Sequence, residues 1–209
     1  MTRKLRLWIA TCNRGKTREF MNLVGDRWRV RGLHGVLGLP VIRETGKTFA
    51  ANAKIKALAI SRSIPTALVL ADDSGLVVPG LRGRPGVRSA RFAGPRATDQ
   101  DNRRKLLRLL KDRTGSERKA YFQASLVLAR NGRILGIAEG RVWGQITPEE
   151  QGKGGFGYDP IFRPQGFQKT FGELPSRTKD RISHRAKAMR GLVRVLSNIK
   201  AIPAPKKRI

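Results

Sequence analysis

Short apolar runs separated by polar loops mark the strands of this chain. Residues 5–10 form a first, mostly apolar run, and residues 67–71 form a second that is apolar throughout. Residues 121–130 and 133–142 are also strand-like. The Asn-Gly pair at 131–132 joins the last two, because both residues tolerate the positive φ angles that a tight hairpin turn requires. We therefore expect four strands, the last two paired as a hairpin.

Apolar residues at helical spacing lie between and after these runs. One helix follows the polar loop at 11–16, and others begin near Thr48, Thr98 and Ser183, the last running to about residue 199. Serine and threonine cap helix N termini by accepting hydrogen bonds from the first turn, and Pro65 ends the helix that begins at Thr48. Strands that alternate with helices, together with an embedded hairpin, predict an α/β fold with a mixed sheet.

The composition is that of a globular protein with one domain. The chain has 209 residues and 39% of them are hydrophobic, which is too many for a disordered protein. We assign residues 1–199 to a single domain and residues 200–209 to a basic C-terminal tail. A single cysteine excludes an intramolecular disulfide, and no apolar run has the length of a signal peptide or a membrane span. We expect a cytoplasmic protein that does not contact a membrane.

The charge is strongly one-sided. Lysine and arginine number 44 against 15 acidic residues, which gives a net charge of +29. Such a chain is attracted to polyanions, among them nucleotides and nucleic acid. The basic residues are scattered, however, and no nucleic-acid-binding motif accompanies them. The charge therefore leaves non-specific nucleic-acid binding as an open hypothesis, and it does not indicate which surface would bind.

Residues 10–17 nearly match the P-loop pattern G-x-x-x-x-G-K-[ST] between a predicted strand and a predicted helix. Gly15, Lys16 and Thr17 match its end, but Ala10 replaces the first glycine. A helix N terminus beside a glycine and a lysine can still hold phosphate. A phosphate-binding loop and an ordinary turn between strand and helix both remain open.

Gly152, Gly154 and Gly157 match the dinucleotide pattern G-x-G-x-x-G literally. That fingerprint must open a helix, whereas here Pro160 follows and disfavours the helical conformation at Asp159. The dinucleotide interpretation is therefore rejected. A glycine-rich loop that lets the backbone approach a ligand remains open.

Asp72 and Asp73 directly follow the run at 67–71, so we expect them at the C-terminal edge of a strand. Adjacent carboxylates are costly unless they are exposed or neutralised by a cation, and ligands bind at this edge in open α/β sheets. The alternative is a solvated Asp-Ser-Gly turn. The chain has only 15 acidic residues, and two adjacent ones favour a functional site.

Two further polar groups admit both a structural and a functional interpretation. Asn52 and Lys56 lie four residues apart on one helix face, which by itself indicates a plain polar face. Ser183 precedes His184 and Arg185 as a helix cap, and the local pattern favours solvated neighbours over a ligand role. Two histidines and one cysteine cannot build a structural zinc site, so a metal would be a hard cation held by oxygen ligands.

Taken in order, these motifs resemble the inosine triphosphate pyrophosphatase family, the dITP/XTP pyrophosphatases. The resemblance runs from Leu7 to about Leu196, and its segments are TCNRGKTREF, ETGKTFAANAKIKA, LADDSGLVVPGLRGRPGVRSARFAG, GGFGYDPIF, TFGEL and KDRISHRAKA. It implies a two-lobed α/β fold, with a long mixed β-sheet flanked by helices and a nucleotide cleft between the lobes. It also implies a homodimer that uses Mg²⁺ and hydrolyses ITP, dITP or XTP to the monophosphate and pyrophosphate.

The resemblance assigns roles residue by residue. The triphosphate would contact the loop formed by Thr11, Cys12, Asn13, Arg14, Gly15 and Lys16. Lys56 would assist catalysis, Glu44 and Asp73 would hold Mg²⁺, and Asp73 would be the general base with Asp72 in support. Ser74 would contact substrate, and the pocket for the base would be formed by Phe156, Gly157, Tyr158, Asp159, Lys179, His184 and Arg185.

The residue types suit this chemistry. A carboxylate can deprotonate the attacking water, and cations can absorb charge on the phosphate oxygens. Phe156 can stack on a purine, while Lys179 and Arg185 only donate hydrogen bonds and so favour a 6-oxo group over the 6-amino group of adenine. A protonated His184 would add another cation to the pocket.

This sequence departs from the family pattern at two places, and two other functions are considered beside it. Cys12 replaces the glycine of T-G-N, and Ala51 stands before Asn52 where many members carry an acid. One alternative is a P-loop-type ATPase or switch, which would use Thr17 to bind Mg²⁺ and would release phosphate. The other is a basic nucleic-acid-binding protein on the same fold.

Overall fold

The computed structural model describes residues 5–25 and 28–198, and within these ranges it contains six strands and five α-helices. The strands are β1 (Leu5–Ile9), β2 (Trp28–Gly32), β3 (Leu68–Val77), β4 (Lys119–Arg130), β5 (Arg133–Ile146) and β6 (Phe162–Pro164). The helices are α1 (Arg14–Leu23), α2 (Phe49–Ser63), α3 (Asp99–Leu109), α4 (Ser176–Ile182) and α5 (His184–Ser197). None of the described helices is long and apolar enough to cross a membrane. The predicted tail at 200–209 lies outside the described residues.

The strands form one mixed sheet in the order β2-β1-β3-β4-β5-β6. β1 pairs in parallel with β2 and β3, and every other pairing is antiparallel. The predicted hairpin is confirmed, because Asn131 and Gly132 adopt φ angles of 48° and 71° between β4 and β5. The predicted caps are also confirmed: the side chains of Thr48, Thr98 and Ser183 each accept a hydrogen bond from the first turn of the helix that follows.

The sequence pattern misjudged three strands. β6, which has only three residues, was not predicted. β2 was not predicted, because its five residues include two arginines and lie next to a glycine-rich stretch. β3 was predicted to end at residue 71, but it continues to Val77. Asp72 and Asp73 therefore lie inside a strand, opposite Leu126 and Ser125 of β4. The solvated-turn alternative is wrong, since the two aspartates are only 0% and 6% exposed.

Three groups of buried residues divide the molecule into two lobes. In the first lobe, α1 and α5 pack on one face of the sheet and α2 packs on the other. In the second lobe, α3 and the C-terminal end of β3 pack with the N-terminal part of β4 and the C-terminal part of β5. The long β4–β5 hairpin runs through both lobes. β1 pairs with β3 only as far as Leu70, so a cleft opens along the next residues of β3.

Candidate active site

A cavity of about 560 Å³ lies in this cleft and is lined by both lobes. Its volume is in the range of roughly 300–1,000 Å³ that is usual for small-molecule sites. The predicted site residues that line it are Thr11, Cys12, Asn13, Lys16, Glu44, Lys56, Asp73, Ser74, Phe156, Gly157, Tyr158, Asp159, His184 and Arg185. Four others do not line it: Arg14, Gly15, Asp72 and Lys179.

The loop between β1 and α1 is shaped by side-chain hydrogen bonds. The Thr11 hydroxyl accepts from Asn13 N at 3.1 Å, and Asn13 Oδ1 accepts from Lys16 N at 3.0 Å. Asn13 is therefore the N-cap of α1, and other N–H groups of the first turn are left for an anion. Lys16 Nζ reaches Asp72 Oδ2 at 2.9 Å, and burial lowers the pKa of this lysine.

Thr17 is already engaged by its neighbours. Its hydroxyl donates to the Asn13 carbonyl oxygen at 3.2 Å, and a Cβ atom on Gly32 would lie 2.8 Å from that hydroxyl. In a P-loop the hydroxyl at this position binds Mg²⁺. The alternative of a P-loop ATPase or switch is therefore not supported.

The remaining loop residues differ in their surroundings. Arg14 is exposed, and its guanidinium lies 3.3 Å from His34 Nε2, away from the cavity. Gly15 lies under Phe156, because a Cβ atom at position 15 would be 2.8 Å from Cδ1 of that ring. Cys12 is exposed on the cavity wall, so the extra side chain at this departure from the family pattern faces the ligand space.

Asp73 is held by two residues of α2. Its Oδ1 atom lies 2.9 Å from Lys56 Nζ, and its Oδ2 atom accepts a hydrogen bond from Asn52 Nδ2 at 3.2 Å. Lys56 Nζ also contacts Glu44 Oε1 at 3.1 Å. Asn52 in turn accepts from Gly46 N at 2.8 Å, which ties the segment that carries Glu44 to Asp73. The plain polar face expected for this helix is therefore a buried network.

Burial and the neighbouring charges set the protonation of this network. Burial raises the pKa of Asp73, and the ammonium group of Lys56 only partly offsets this. Burial would lower the pKa of Lys56, but the carboxylates of Asp73 and Glu44 raise it above its usual value. A carboxyl with a raised pKa is a stronger base, which suits proton abstraction from water.

The same carboxylates are the predicted metal ligands. Within residues 5–25 and 28–198, no three histidine, cysteine, aspartate or glutamate side chains come together as a metal site. Mg²⁺ is usually held by one or two carboxylates, with phosphate oxygens and water completing the octahedron. Glu44 and Asp73, which flank one ammonium group at the cavity wall, fit a cation that arrives together with a nucleotide.

Asp72 points to the opposite face of β3, because successive side chains alternate along a strand. Its Oδ2 atom forms an ion pair with Lys16 Nζ. It also accepts hydrogen bonds from the Arg185 guanidinium at 3.1 Å and from the Ser74 hydroxyl at 3.0 Å. Burial would raise the pKa of Asp72, but Lys16 and Arg185 hold it far below its usual value. Oδ1 of Asp72 is buried and has no hydrogen-bond partner among the residues that the structure describes. Asp72 thus organises the cations around the cleft.

Glu19 is a residue of this site that the sequence interpretation missed. Its carboxylate contacts Lys179 Nζ at 2.6 Å and Arg185 Nη1 at 2.8 Å. Burial would raise the pKa of Glu19, but these two cations hold it below its usual value. The signal was present, since Glu19 belongs to the matched segment TCNRGKTREF in a chain that has few acids.

Two cations lie against Phe156 on the side of the base pocket. Lys179 Nζ is 4.8 Å and Arg185 Cζ is 5.3 Å from the ring centroid. Both are already engaged, because Lys179 binds Glu19 and Asp159, and Arg185 binds Glu19, Asp72 and Ser74. The N–H groups of both side chains therefore already donate to oxygen atoms of neighbouring side chains.

His184 is neutral and buried. Burial and the neighbouring Arg185 lower its pKa well below the usual value, so the protonated His184 considered from the sequence is wrong. Its ring stacks on Phe122 with centroids 4.9 Å apart, and within the described part of the chain Nδ1 has no hydrogen-bond partner. The expectation of solvated neighbours behind the Ser183 cap is also wrong, since His184 and Arg185 are 2% and 4% exposed.

The glycine-rich loop at 152–157 is anchored through its backbone. Gly157 N donates to Asp99 Oδ2 at 2.7 Å, and Gly157 O accepts from Arg103 at 2.9 Å. The Asp159 carboxylate accepts from Phe156 N at 2.8 Å, and the Tyr158 hydroxyl donates to Ser89 O at 2.9 Å. Residues 159–161 form a short 3₁₀ turn, so no α-helix follows the glycines. This confirms that the loop is not a dinucleotide fingerprint.

Comparison with known proteins places this architecture in a family. The model of the Ham1 family matches residues 7–195. A dITP/XTP pyrophosphatase of Halalkalibacterium halodurans is 46% identical over 187 residues, which are 88% of this chain and 96% of that protein. The Bacillus subtilis dITP/XTP pyrophosphatase is 43% identical over 189 residues, which are 90% and 95% of the two chains.

A solved structure shares the fold. The chain is similar to a HAM1 protein from Coxiella burnetii with a TM-score of 0.81 and 37% identity, over 93% of this chain and all of that one. The two-lobed mixed α/β fold expected from the sequence is thereby confirmed, as is the resemblance that its motifs indicated. The chain belongs to the Ham1 family.

Proposed function

We propose that this protein hydrolyses non-standard purine nucleoside triphosphates, namely ITP, dITP and XTP, to the monophosphate and pyrophosphate. The supporting observation is the layout of one cavity. The carboxylate of Asp73, held by Lys56 and Asn52, lies in the same cavity as the Asn13-capped loop and the ring of Phe156. General base, phosphate loop and stacking ring therefore line one ligand space, and relatives that share this architecture are named dITP/XTP pyrophosphatases.

The proposed reaction uses Asp73 as the base. A water molecule adds to the α-phosphorus while its proton passes to the Asp73 carboxylate. The bond between that phosphorus and the oxygen bridging to the β-phosphate breaks, and pyrophosphate leaves with the electron pair. Lys16, Lys56 and the N terminus of α1 stabilise the charge that develops on the phosphate oxygens.

Magnesium is the proposed cofactor, with Glu44 and Asp73 as its protein ligands. When bound, it supplies charge neutralisation at the phosphate oxygens. Both carboxylates contact the ammonium group of Lys56, which orients them side by side at the cavity wall.

Base selection is proposed to depend on the cluster around Phe156. The ring stacks on the purine, and Arg185, which lies beside the ring and lines the cavity, disfavours the 6-amino donor of adenine. His184 is a further contact, since this residue lines the cavity and its Nδ1 has no partner in residues 5–25 and 28–198. A neutral imidazole can either donate or accept there, according to its tautomer.

A product assay tests the proposal. ITP, XTP, dITP, GTP and ATP are each hydrolysed with pyrophosphate and phosphate measured separately. We expect equal amounts of monophosphate and pyrophosphate, and a specificity constant for ITP far above that for ATP. Accumulation of diphosphate and free phosphate would refute the proposed reaction.

Three finer properties belong to the same proposal. We place the enzyme in the cytoplasm, as a homodimer. We also propose that it binds nucleic acid without sequence preference outside the cleft, because a net charge of +29 far exceeds what one nucleotide site requires.

A further inference from the structure

One outward face of β1 and β2 is unusually basic. Arg6 of β1 is the register partner of Arg29 of β2, and Trp8 is the partner of Arg31. Side chains alternate along a strand, so Leu7 points to the opposite face, where it is buried in the core under α1 and α5. We call the surface formed by Arg6, Trp8, Arg29 and Arg31 the arginine face.

No carboxylate neutralises this face in the part of the chain that the structure describes. Arg6, Arg29 and Arg31 are exposed, and none of them forms an ion pair with a described residue. The guanidinium of Arg31 lies 5.6 Å from the ring centroid of Trp8. Arg104 and Arg113 of the other lobe pair with nearby acids, whereas other exposed arginines, among them Arg88, Arg91 and Arg96, form no ion pair with the described residues. The arginine face is distinguished by its register, which sets arginines side by side on neighbouring strands.

The arrangement is electrostatically unfavourable on its own. Neighbouring strands are about 4.8 Å apart, and like charges directly opposite each other destabilise a sheet. Arg6 and Arg29 are such a pair, and Arg31 lies two residues further along the same strand face. An anion that bridges the guanidiniums would remove this repulsion.

The chemistry of the face favours the phosphate backbone of a nucleic acid over a lipid surface. The planar fork of a guanidinium matches phosphate oxygens in a bidentate fashion. Binding to a lipid surface usually adds apolar residues that insert beside the cations. The large exposed apolar side chains of the described residues, such as Leu37 and Val41, lie outside β1 and β2. Trp8 is half-buried with Arg31 above it, so this face presents cations rather than an insertion surface.

The arginine face is separate from the cleft. The cleft begins at Ala10, and none of the four residues of the face lines the cavity. Arg6 precedes Ala10 by four strand positions, which correspond to about 13 Å at a rise of roughly 3.3 Å per residue. A long polyanion can therefore occupy the face without entering the cavity.

We propose that the arginine face binds the phosphate backbone of nucleic acid without sequence preference. The inference rests on the proposed nucleic-acid binding and is independent of the hydrolytic reaction. It assigns a phosphate contact to three of the chain's many cations.

A charge-matched comparison tests it. One variant carries Arg6→Gln, Arg29→Gln and Arg31→Gln, and a control carries Arg108→Gln, Arg133→Gln and Arg194→Gln, three exposed arginines on separate elements. Both lose the same net charge. Binding of a labelled duplex DNA is measured by fluorescence anisotropy between about 50 and 200 mM salt. ITP hydrolysis and Tm of both variants are measured alongside as a check on folding.

We expect the face variant to lose at least about tenfold in affinity at low salt. The slope of log K against log salt should fall by roughly 2 to 3, since each phosphate contact contributes about 0.9. The control should lose no more than about threefold, the effect of general charge. If the triple substitution unfolds the chain, Arg29→Gln alone should lower the slope by about 1.

Two results would overturn the inference in different ways. Equal losses in the two variants would show that the general charge binds DNA, and the surface assignment would be wrong although the binding proposal stands. No binding by the wild type at low salt would end both proposals. If phosphatidylserine vesicles bind and DNA does not, and the face variant loses the vesicles, the face would recognise lipid instead.

Discussion

At the scale of single residues, Asp73 has the position and the protonation behaviour of a base. Its two oxygens are held by Lys56 and Asn52, so the carboxylate is oriented before substrate arrives. Such preorganisation is what lets one side chain contribute strongly to a rate. Asp72, next in the chain, has the opposite environment, with its pKa held low by Lys16 and Arg185. The two adjacent aspartates therefore differ in protonation, with the pKa of Asp73 raised and that of Asp72 lowered.

Asp73→Asn is expected to keep the fold and to lower turnover of ITP by at least about 100-fold, the scale of losing a general base. The amide oxygen can keep one of the two hydrogen bonds, from Lys56 or from Asn52, but the amide cannot accept the proton. Turnover and Tm of the variant are compared with those of Asp112→Asn, a carboxyl that is exposed on the surface. Turnover near that of the wild type would remove Asp73 from this role.

Lys56→Met is expected to move the acidic limb of the kcat/KM profile to higher pH. Activity requires ionised Asp73 and so is lost as the pH falls through the pKa of that carboxyl. Lys56 lowers this pKa, which burial has already raised, and removal of the ammonium lets it rise further. Lys56→Arg, which retains the charge, should leave the limb closer to that of the wild type. An unmoved limb in the Met variant would contradict the coupling.

At the scale of elements, the proposed phosphate loop and the proposed base pocket are in direct contact. Gly15, in the first turn of α1, lies under the ring of Phe156, and Phe156 is held in turn by the Asp159 carboxylate. The N terminus of α1 and the loop at 155–159 therefore adjust together. Space favours glycine at position 15, because a Cβ atom there would lie 2.8 Å from Cδ1 of the Phe156 ring.

Gly15→Ala is expected to raise the KM for ITP, because the new methyl group displaces the stacking ring. Since the two residues touch, the effect should be non-additive with Phe156→Leu, which leaves more room above the loop. Steady-state kinetics of the two single variants and the double variant measure this coupling. Strictly additive effects on kcat/KM would show that the contact does not transmit strain.

At the scale of the whole molecule, a chain of buried charges joins three helices to a strand of the sheet. Glu19 of α1 binds Lys179 of α4 and Arg185 of α5, and Arg185 reaches Asp72 of β3. These residues are far apart in sequence and are brought together only by folding. A buried cation that loses its partner is strongly destabilising, so the network ties the packing of three helices to the integrity of the site.

Glu19→Gln is expected to destabilise the fold by about 3 kcal/mol at pH 7, the scale of breaking a buried ion pair. Because the folded pKa of Glu19 lies below its unfolded value, its stabilisation is present above the unfolded pKa of about 4.3 and is lost as the pH falls below that value. Urea unfolding of the two proteins at neutral and acidic pH should therefore show a difference that narrows in acid. A difference that persists unchanged at pH 3 would exclude this electrostatic origin.

The sequence by itself determined the features that depend on neighbours along the chain. Thr48, Thr98 and Ser183 cap helices because their side chains reach N–H groups three residues away, and Asn131-Gly132 forms the hairpin because of its own allowed φ angles. The order of the motifs was likewise sufficient to indicate the family.

Only the tertiary structure decided which environment each polar residue received. Pairing with β4 extends β3 past residue 71, so Asp72 and Asp73 are buried on opposite faces instead of being solvated in a turn. His184 is neutral because distant elements bury it, and Glu19 enters the site because α1 packs against α4 and α5. Burial and the field of remote charges depend on contacts between distant segments, and local sequence patterns do not encode them.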